Sequence, residues 1–383
     1  MEGVHDTSQW TEHFITKPKI EPVMVVKMKP FERILVSSRH EEPDTVPVAL
    51  DASGLILKRF GRVSECEYYH DMKLQFETFI ALQHRFPYIV FTFSKPPEYC
   101  DIGWLPSAFG AKIKWMDDAP PFVVEYPIKV PEDVDRLVEG GVPNPREDGV
   151  TAEIFRRLEF FYDWFPKDLR DEYGYVDGAI HLPGVVEAAA MTMGYDKLLV
   201  WMRLHPDALH KWLRLATDWC LKLCEAMEEV VGSCKILWVG DHSASMVGKE
   251  LFHEFILPYY NKIFVRYNRA LRIWHNEGSV SHMLDEVDKI DAEVWQFGAS
   301  DDPALCKAKT HFCLMGNIHP PWFAKYTPTQ VEEKCKEIIV KAGSGGGLWL
   351  STGGGIAPGT PFRNIDAMVR AAEEYGKYPL KSE

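Results

Sequence analysis

The sequence predicts an α/β fold, a (β/α)8 barrel of the TIM type, with an N-terminal arm and an insertion after the second strand. Eight short runs rich in β-forming residues occur along the 383-residue chain, and helical patterns alternate with them. Alternation of this kind is typical of a parallel sheet with right-handed crossovers. Because the alternation repeats eight times, it favours a closed barrel over an open sheet.

The predicted strands are short apolar runs that end at polar residues or glycine. They span residues 46–53, 88–94, 173–182, 235–243, 271–278, 294–299, 312–319 and 347–355. Between them, apolar residues recur at helical spacing. The helices predicted from this spacing span 72–85, 195–229, 250–270, 281–290, 303–309, 328–342 and 362–375.

Residues 95–170 interrupt this rhythm. Segments 111–115 and 122–127 predict a β-hairpin outside the barrel, and helical stretches follow at 131–139 and 151–164. We interpret this region as an insertion within a single barrel domain of residues 28–383. Residues 1–27 show no clear period and are predicted to form an arm, followed by a short helix.

Composition excludes several classes of partner. The net charge of -13 argues against nucleic-acid binding, which needs a basic face. No apolar run approaches the roughly 20 residues of a membrane span, and the first residues lack a signal-peptide pattern. We therefore expect a cytoplasmic protein. The eight cysteines are scattered without a CxxC pair, which is consistent with reduced thiols.

The ends of the predicted strands carry polar or ionisable side chains. In a barrel of this type the chemistry lies at the C-terminal face, so these groups are expected at one mouth. This convergence favours an enzyme over a barrel-shaped binding subunit that has lost catalysis. The strand-end groups are Asp51, Ser94, His181, Asp241 with His242, His275 with Glu277, Gln296, Asn317 with His319, and Ser351 with Thr352.

The fifth predicted strand ends in His275-Asn276-Glu277-Gly278. Residues two apart on a strand point to the same face, so the imidazole and the carboxylate should converge. Such a pair can bind a metal, orient a proton or charge an imidazolium. The alternative interpretation of this pair alone is a strand-end histidine with a solvated carboxylate.

Two sets of motifs lie near the ends of the chain. Lys-Pro-Phe-Glu-Arg occupies 29–33 and Pro-Asp-Thr-Val-Pro occupies 43–47. Met-Gly-Asn-Ile-His-Pro occupies 315–320, Gly-Gly-Gly-Ile-Ala-Pro-Gly-Thr-Pro occupies 353–361, and Asn-Ile follows at 364–365. From about residue 27 to the end, the chain resembles the uroporphyrinogen decarboxylase superfamily. The resemblance implies a barrel with its cleft at the strand C-termini.

Two branches of that superfamily give different expectations. The porphyrinogen decarboxylases use an arginine-rich turn after the first strand, whereas this turn has no arginine before Arg59. The corrinoid-dependent methyltransferases that act on thiols hold zinc with a His-x-Cys motif and a later cysteine in the last strand. Here the corresponding residues are His275-Asn276-Glu277 and Gly353-Gly354-Gly355, without a thiol. Harder nitrogen and oxygen groups suit an oxygen-bound substrate better.

We therefore expect a corrinoid-dependent methyltransferase that demethylates an aryl methyl ether. The resemblance implies cobalamin on a separate corrinoid-binding protein that docks at the barrel mouth. His275 is the expected acid at the leaving oxygen, with Glu277, Asp241 and His242 as its catalytic partners. The expected pocket residues that hold the substrate are His181, Gln296, Trp104, Met191 and Asn317.

Two alternatives remain open at this stage. Zinc bound by His275, Glu277 and Asp241 could replace acid catalysis, although the missing thiols slightly favour a metal-free site. The chain could also be a lyase of the decarboxylase type that acts on a smaller acid, with His275 protonating a carbanion. Methyl transfer predicts dependence on a corrinoid protein, whereas decarboxylation predicts release of carbon dioxide without one.

Overall fold

Eight parallel strands form the central sheet of the protein. The computed structural model describes residues 28–51, 64–91, 99, 103–117, 119–174 and 178–380. The barrel strands are β1 Val48–Leu50, β2 Ile89–Phe91, β5 Ala179–Leu182, β6 Ile236–Gly240, β7 Leu271–Asn276, β8 Val294–Phe297, β9 Cys313–Ile318 and β10 Leu348–Thr352. Two further strands, β3 Lys112–Lys114 and β4 Phe122–Glu125, form a separate antiparallel hairpin, as predicted.

The strand order confirms the (β/α)8 barrel. Hydrogen-bonded neighbours run β2-β1-β10-β9-β8-β7-β6-β5, so every barrel strand except β5 pairs with the barrel strand before it, and the last strand, β10, pairs with β1. Among the described residues, no ladder joins β2 to β5. The insertion enters the chain between these two strands. The predicted N-terminal arm and Ser94 lie outside the described residues, and the division of the chain at residue 27 stays a prediction.

The helices cover the outside of the sheet. They span Pro30–Ser37, Glu65–His70, Met72–Arg85, Trp104–Ala108, Pro131–Gly140, Thr151–Trp164, Lys167–Tyr173, Val185–Met193, Tyr195–Leu204, Pro206–Val231, Lys249–Leu251, Leu257–Arg266, Leu284–Val287, Pro303–Lys309, Pro320–Lys325, Pro328–Ala342 and Phe362–Tyr375. Among these described helices, none has both the length and the apolar character needed to cross a bilayer.

Proline explains the two places where a long predicted helix is divided. The helix predicted over 195–229 breaks at His205, because Pro206 disfavours helical backbone in the residue before it. The helix predicted over 250–270 contains a π-helical turn, Phe252–Ile256, just before Pro258. A proline ring lacks the N–H that a regular helix needs, and the wider turn accommodates this loss.

Alternate residues of the strands fill the barrel interior. Because side chains alternate between the two faces of a strand, residues two apart on each strand point inward. Ile34 and Phe31 of the first helix pack against the same cluster. The inward cluster contains Ala49, Val90, Ala179, Ile236, Trp238, Ile273, Val294, Cys313, Met315 and Trp349.

The insertion packs against the outside of the barrel. Its Phe109 ring meets Trp212 of helix Pro206–Val231 edge to face, with ring centroids 4.7 Å apart. Phe155 and Phe161 of helix Thr151–Trp164 belong to the same apolar cluster as the barrel helices. The insertion is therefore fixed to the helix that follows β5, and its hairpin is held in place at that side of the barrel.

Candidate active site

The inward face of the sheet continues to the strand ends, where it becomes polar. On β7 the inward positions pass from Ile273 to His275, and His275 pairs in register with Gln296 of β8. The ring of Trp238, which is in register with Ile273 on the neighbouring strand β6, stacks on the His275 imidazole with centroids 5.5 Å apart. The strand alternation thus delivers His275 and Gln296 to the mouth above an aromatic floor.

The hydrogen bonds of His275 fix its tautomer. Its Nδ1 lies 2.6 Å from Oε1 of Gln296, whose amide nitrogen donates to the backbone oxygen of Thr352. An amide oxygen only accepts hydrogen bonds, so Nδ1 of His275 carries the proton. The neutral ring therefore presents the lone pair of Nε2 to the mouth.

His242, which follows β6, stands between two carboxylates. Its Nδ1 lies 3.3 Å from Oε2 of Glu187, and its backbone N–H donates to the same oxygen at 2.9 Å. Its Nε2 lies 3.4 Å from Oε1 of Glu277 and 3.4 Å from Nε2 of His275. The hydroxyl of Tyr195 donates to the other oxygen of Glu187. Side chains that follow three neighbouring strands thus meet at one imidazole.

The two imidazoles have opposite electrostatic environments. Burial opposes the charge on His242, but hydrogen bonds to Glu187 and Glu277 outweigh it and raise its pKa to about 10. Burial and the neighbouring charge of His242 lower the pKa of His275 to about 4. Burial would raise the pKa of both glutamates, yet His242 keeps each of them below the ordinary value. At neutral pH the cluster therefore holds one imidazolium, one neutral imidazole and two carboxylates.

Gly354, just after β10, makes room for the Glu277 carboxylate. A Cβ atom at Gly354 would lie 1.5 Å from Oε2 of Glu277. The backbone of Gly354 also has φ +111°, a conformation that favours glycine. Because Gly354 has no side chain, the glycine-rich segment after the last strand leaves room for the Glu277 carboxylate.

Asp241 lies beside the cluster and supports it. Its Oδ1 accepts hydrogen bonds from the backbone and hydroxyl of Ser243 at 2.8 and 2.5 Å. No ion pair or hydrogen bond joins its side chain to His275 among the described residues, and burial raises its pKa to about 6. The sequence predicted that Asp241 orients His275 directly. In the structure the Asp241 carboxylate instead holds the turn Ser243–Met246, which follows His242.

The other predicted pocket residues differ in position. His181 of β5 faces inward, with its ring centroid 6.3 Å from that of Trp238. The amide nitrogen of Asn317 donates to the backbone oxygens of Gly298 and Asp301, so this residue joins two loops. Trp104 is buried in the insertion and donates to the backbone oxygen of Tyr99. Met191 is half-buried one helical turn beyond Glu187.

Sequence reasoning missed Glu187, Tyr195 and the stacking of Trp238. Glu187 belongs to helix Val185–Met193, which was not predicted because its residues are apolar on all sides. The sequence did contain a signal for this helix. Gly184 follows β5, and Glu187 lies near the start of the alanine-rich run that comes next. Acidic residues are favourable in the first turn of a helix, so this pattern indicates a helix that begins just after the strand end.

The cluster also has a composition suited to a metal ion. One donor atom each from His242, His275 and Glu277 lie within 4.8 Å of one another. Two histidines and a glutamate form a ligand set that catalytic zinc uses, and it leaves one coordination position open. Asp241, named from the sequence as a ligand, is outside this group, and His242 takes its place. The donors fit zinc, provided that His242 gives up its Nε2 proton.

Comparison with known proteins gives a family match and two kinds of relative. The family model described as uroporphyrinogen decarboxylase (URO-D) matches residues 29–375. A methylated-thiol–coenzyme M methyltransferase of Methanosarcina mazei is 24% identical, covering 72% of this chain and 71% of that protein. The uroporphyrinogen decarboxylase of Schizosaccharomyces pombe is 22% identical, covering 73% and 78%.

A solved structure shares the fold. A methyltransferase from Methanosarcina mazei superposes with a TM-score of 0.75 and 20% identity, covering 91% of this chain and 99% of that one. At this identity the likeness shows the barrel and its connections, and it leaves the chemistry of the mouth to the side chains described above.

The contact between Gly354 and Glu277 gives a first prediction. Replacing Gly354 with Ala should displace the Glu277 carboxylate and change the imidazole NMR signals of His242 and His275. Gly110→Ala is the matched control, because Gly110 has φ +91° and no atom within 4 Å of an added Cβ. Both variants should lose about 1–2 kcal/mol of stability from the backbone conformation. Unchanged imidazole signals in Gly354→Ala would contradict the described position of Glu277.

Proposed function

We propose, from the premise that the chain belongs to the uroporphyrinogen decarboxylase family, that it is a corrinoid-dependent methyltransferase. In this proposal it removes the methyl group of an aryl methyl ether and delivers it to cob(I)alamin on a partner corrinoid protein. The observation that carries the proposal is the convergence of His242, His275 and Glu277 within 4.8 Å at the barrel mouth.

The names of the relatives support methyl transfer without choosing the donor. One is a methylated-thiol–coenzyme M methyltransferase and another, from Methanosarcina barkeri, is a methylcobamide:CoM methyltransferase, 24% identical over 51% of this chain. Uroporphyrinogen decarboxylases are related at similar identity. The donor must therefore be inferred from the groups at the mouth.

The charges at the mouth disfavour a substrate with many carboxylates. Asp51, Glu187 and Glu277 already place acidic groups there. None of the described strand-end side chains is an arginine or a lysine. A porphyrinogen with several carboxylates would require guanidinium or ammonium partners. A neutral or weakly charged aromatic ether fits this environment better.

The chemistry of ether cleavage explains why a charged imidazole is needed. The corrinoid supplies the nucleophile that accepts the methyl group. The electron pair of the methyl–oxygen bond stays on the phenolic oxygen, which then takes up a proton. A positioned acid contributes about 10²- to 10⁴-fold to such a step. Nε2–H of His242 is the donor in this proposal, and the imidazole is left neutral between Glu187 and Glu277.

The sequence pointed to His275 as the acid; we propose His242 instead, and the opposite pKa shifts of the two imidazoles support this choice. His275 has its pKa lowered to about 4 and is neutral at neutral pH. His242, with a pKa of about 10, matches a phenol, whose ordinary pKa is also about 10. Proton transfer between matched groups needs little driving force. In this proposal His275 stays neutral and its Nε2 is a hydrogen-bond acceptor. The contact with Gln296 keeps the His275 ring in place opposite His242.

The half-buried ring of His181 is proposed to contact the substrate ring. Trp238 is 1% exposed and stacks beneath His275, so it supports the imidazole and does not contact the substrate. An offset stack on an aromatic ring contributes about 0.5–1.5 kcal/mol beyond the buried area. The contacts of Trp104 and Asn317 are internal to the fold, so their effect on substrate binding would be indirect.

Zinc is the alternative source of leaving-group activation. His242, His275 and Glu277 would hold it, and Glu187 would accept the Nδ1–H of His242, as carboxylates do for histidine ligands. When bound there, zinc would polarise the ether oxygen as a Lewis acid. The raised pKa of His242 favours a protonated ring, so we propose the metal-free form as the resting state of the site.

Decarboxylation of a smaller acid is the second candidate function. It is favoured by the related uroporphyrinogen decarboxylases, and the His242 imidazolium could protonate a carbanion as readily as a phenolate. The two functions differ in product. Carbon dioxide release without any corrinoid would indicate decarboxylation, whereas loss of the methyl group only when cob(I)alamin is present would indicate methyl transfer.

Substitution of the two imidazoles tests the proposed function. With 2-methoxyphenol as donor and free cob(I)alamin as acceptor, His242→Gln should lower kcat by about 10²- to 10⁴-fold, because the acid is lost. His275→Ala should also lower transfer sharply while the far-ultraviolet circular dichroism stays unchanged. His253→Gln is the matched control, since His253 pairs with Glu286 on an exposed helix. Near-normal turnover in His242→Gln would remove His242 from the mechanism.

Metal analysis decides between the two forms of activation. Protein purified without chelator should contain far less than one zinc per chain, and treatment with a chelator should leave methyl transfer unchanged. The same treatment should leave the imidazole NMR signals of His242 and His275 unchanged. Stoichiometric zinc whose removal abolishes transfer would overturn the metal-free form and leave the Lewis-acid form in its place.

A further inference from the structure

Exposed apolar side chains are concentrated in one region of the surface. Of the twelve large apolar side chains exposed in the described part, seven lie between residues 122 and 204. Single exposed apolar residues are normal, but a group of them marks a surface that contacts another molecule. We name five of these residues the apolar collar. The apolar collar consists of Phe122, Val124, Tyr126, Val130 and Leu204.

The hairpin of the insertion provides the first part of the collar. Val123 of β4 is buried against the protein, so its neighbours Phe122 and Val124 point outward and are 41% and 50% exposed. Lys112 and Lys114 are exposed on the paired strand β3. The register places Lys114 opposite Phe122 on the outer face, while Lys112 pairs with Glu125 at 2.6 Å. The outer face of the hairpin therefore combines exposed apolar side chains with one unneutralised lysine, a surface suited to a partner of complementary character.

Hydrogen bonds join the segment after the hairpin to helix Tyr195–Leu204 and the residues just before it. The backbone N–H of Ile128 donates to the oxygen of Thr192, and Nζ of Lys197 donates to the backbone oxygen of Lys129 at 2.9 Å. Leu204, which ends this helix, is 68% exposed. Beside it a cavity of about 300 Å³ opens between two helices. Its lining residues are Pro131, Asp135, Leu204, His205, Pro206, Asp207, Ala208 and Lys211.

The length of helix Pro206–Val231 places Leu204 on the side of the barrel mouth. This helix packs against β5 and ends at Val231, just before β6 begins. Its 26 residues are about 39 Å long, whereas the five residues of β6 extend about 17 Å. The helix runs antiparallel to the strands, as crossovers do, so its start at Pro206 lies on the side of the strand C-termini.

Helix Pro131–Gly140 begins directly after Val130 of the collar, and the segment from this helix to Arg146 runs in the same direction as helix Pro206–Val231. Asp135 of helix Pro131–Gly140 pairs with Lys211 at 2.7 Å, and Arg146 pairs with Glu229 near the other end of helix Pro206–Val231. Pro131 and Val130 are therefore at the mouth end as well. Met246, four residues after His242, is also exposed. The apolar collar therefore lies on the mouth side of the barrel.

We propose that the apolar collar is the docking surface for the corrinoid-carrying protein; this inference rests on the proposed function. The carrier must bring its cobalt to His242 and His275, and to do so it must enter past the residues on the mouth side of the barrel. The collar offers apolar anchors, and a transient interface needs only a few of these. Lys114 and Lys129 are exposed at its border, whereas Lys112 is paired with Glu125, so the contacting face of the carrier should be apolar with acidic groups opposite Lys114 and Lys129.

The test compares two acceptors with the same donor, 2-methoxyphenol. One acceptor is free cob(I)alamin, and the other is a purified cobalamin-carrying protein reduced to the cob(I) state, to which the wild-type enzyme transfers methyl groups. Val124→Asp and Leu204→Asp should raise the KM for the carrier at least tenfold and leave transfer to free cob(I)alamin within twofold. Val265→Asp is the control, since Val265 is 57% exposed near the end of helix Leu257–Arg266, just before β7 and so at the end of the barrel opposite the mouth.

Each other outcome contradicts a different statement. An unchanged carrier KM in both collar variants would overturn the docking surface and leave the proposed function intact. Equal losses with both acceptors would overturn it too, because the substitutions would then act on the site itself. A wild-type dimer in analytical ultracentrifugation that the collar variants dissociate would assign the collar to a second copy of this chain. No transfer by the wild type to free cob(I)alamin would overturn the proposed function.

Discussion

The central interaction of this protein is the pairing of His242 with Glu187 and Glu277. The His242 side chain is 41% exposed, and removing even part of a charged imidazole from water is unfavourable unless carboxylates compensate for the lost hydration. Here the compensation comes from two elements, the helix after β5 and the end of β7, while His242 itself follows β6. The cluster therefore exists only when three neighbouring strands are in register. Asp241, Asn317 and Gly354 serve this arrangement by fixing the loops and the space around it.

The barrel and the inward residues could be predicted from the sequence because they depend on local pattern. Apolar runs of strand length, separated by helices, give the strand order, and alternation along β7 and β8 directs His275 and Gln296 to the mouth. The register of β6 places Gly240 beside His275, and the Asp241 carboxylate instead bonds to Ser243 in the turn that follows. The partner of His242 is Glu187, 55 residues earlier in the chain, and only tertiary structure brings the two together.

The proposed ether cleavage and the alternative decarboxylation place the same demand on the site. Both end with an electron pair that must be protonated, on carbon in one case and on oxygen in the other. In our proposal the half-exposed imidazolium of His242, beside the neutral His275, would supply that proton in either reaction. We propose that the surrounding surface selects the reaction: the acidic mouth disfavours a substrate with many carboxylates, and the apolar collar suits a carrier protein.

The protonation state of His242 tests this account most directly. Nitrogen-15 NMR of the histidine side chains, assigned with a His242→Gln variant, reports whether both ring nitrogens carry protons. A group whose pKa is raised to about 10 stays protonated through neutral pH and loses its proton only as the pH approaches 10. The account therefore predicts that metal-free protein at pH 8 shows a doubly protonated His242 and a neutral His275 with its proton on Nδ1. A neutral His242 at pH 8 would contradict it.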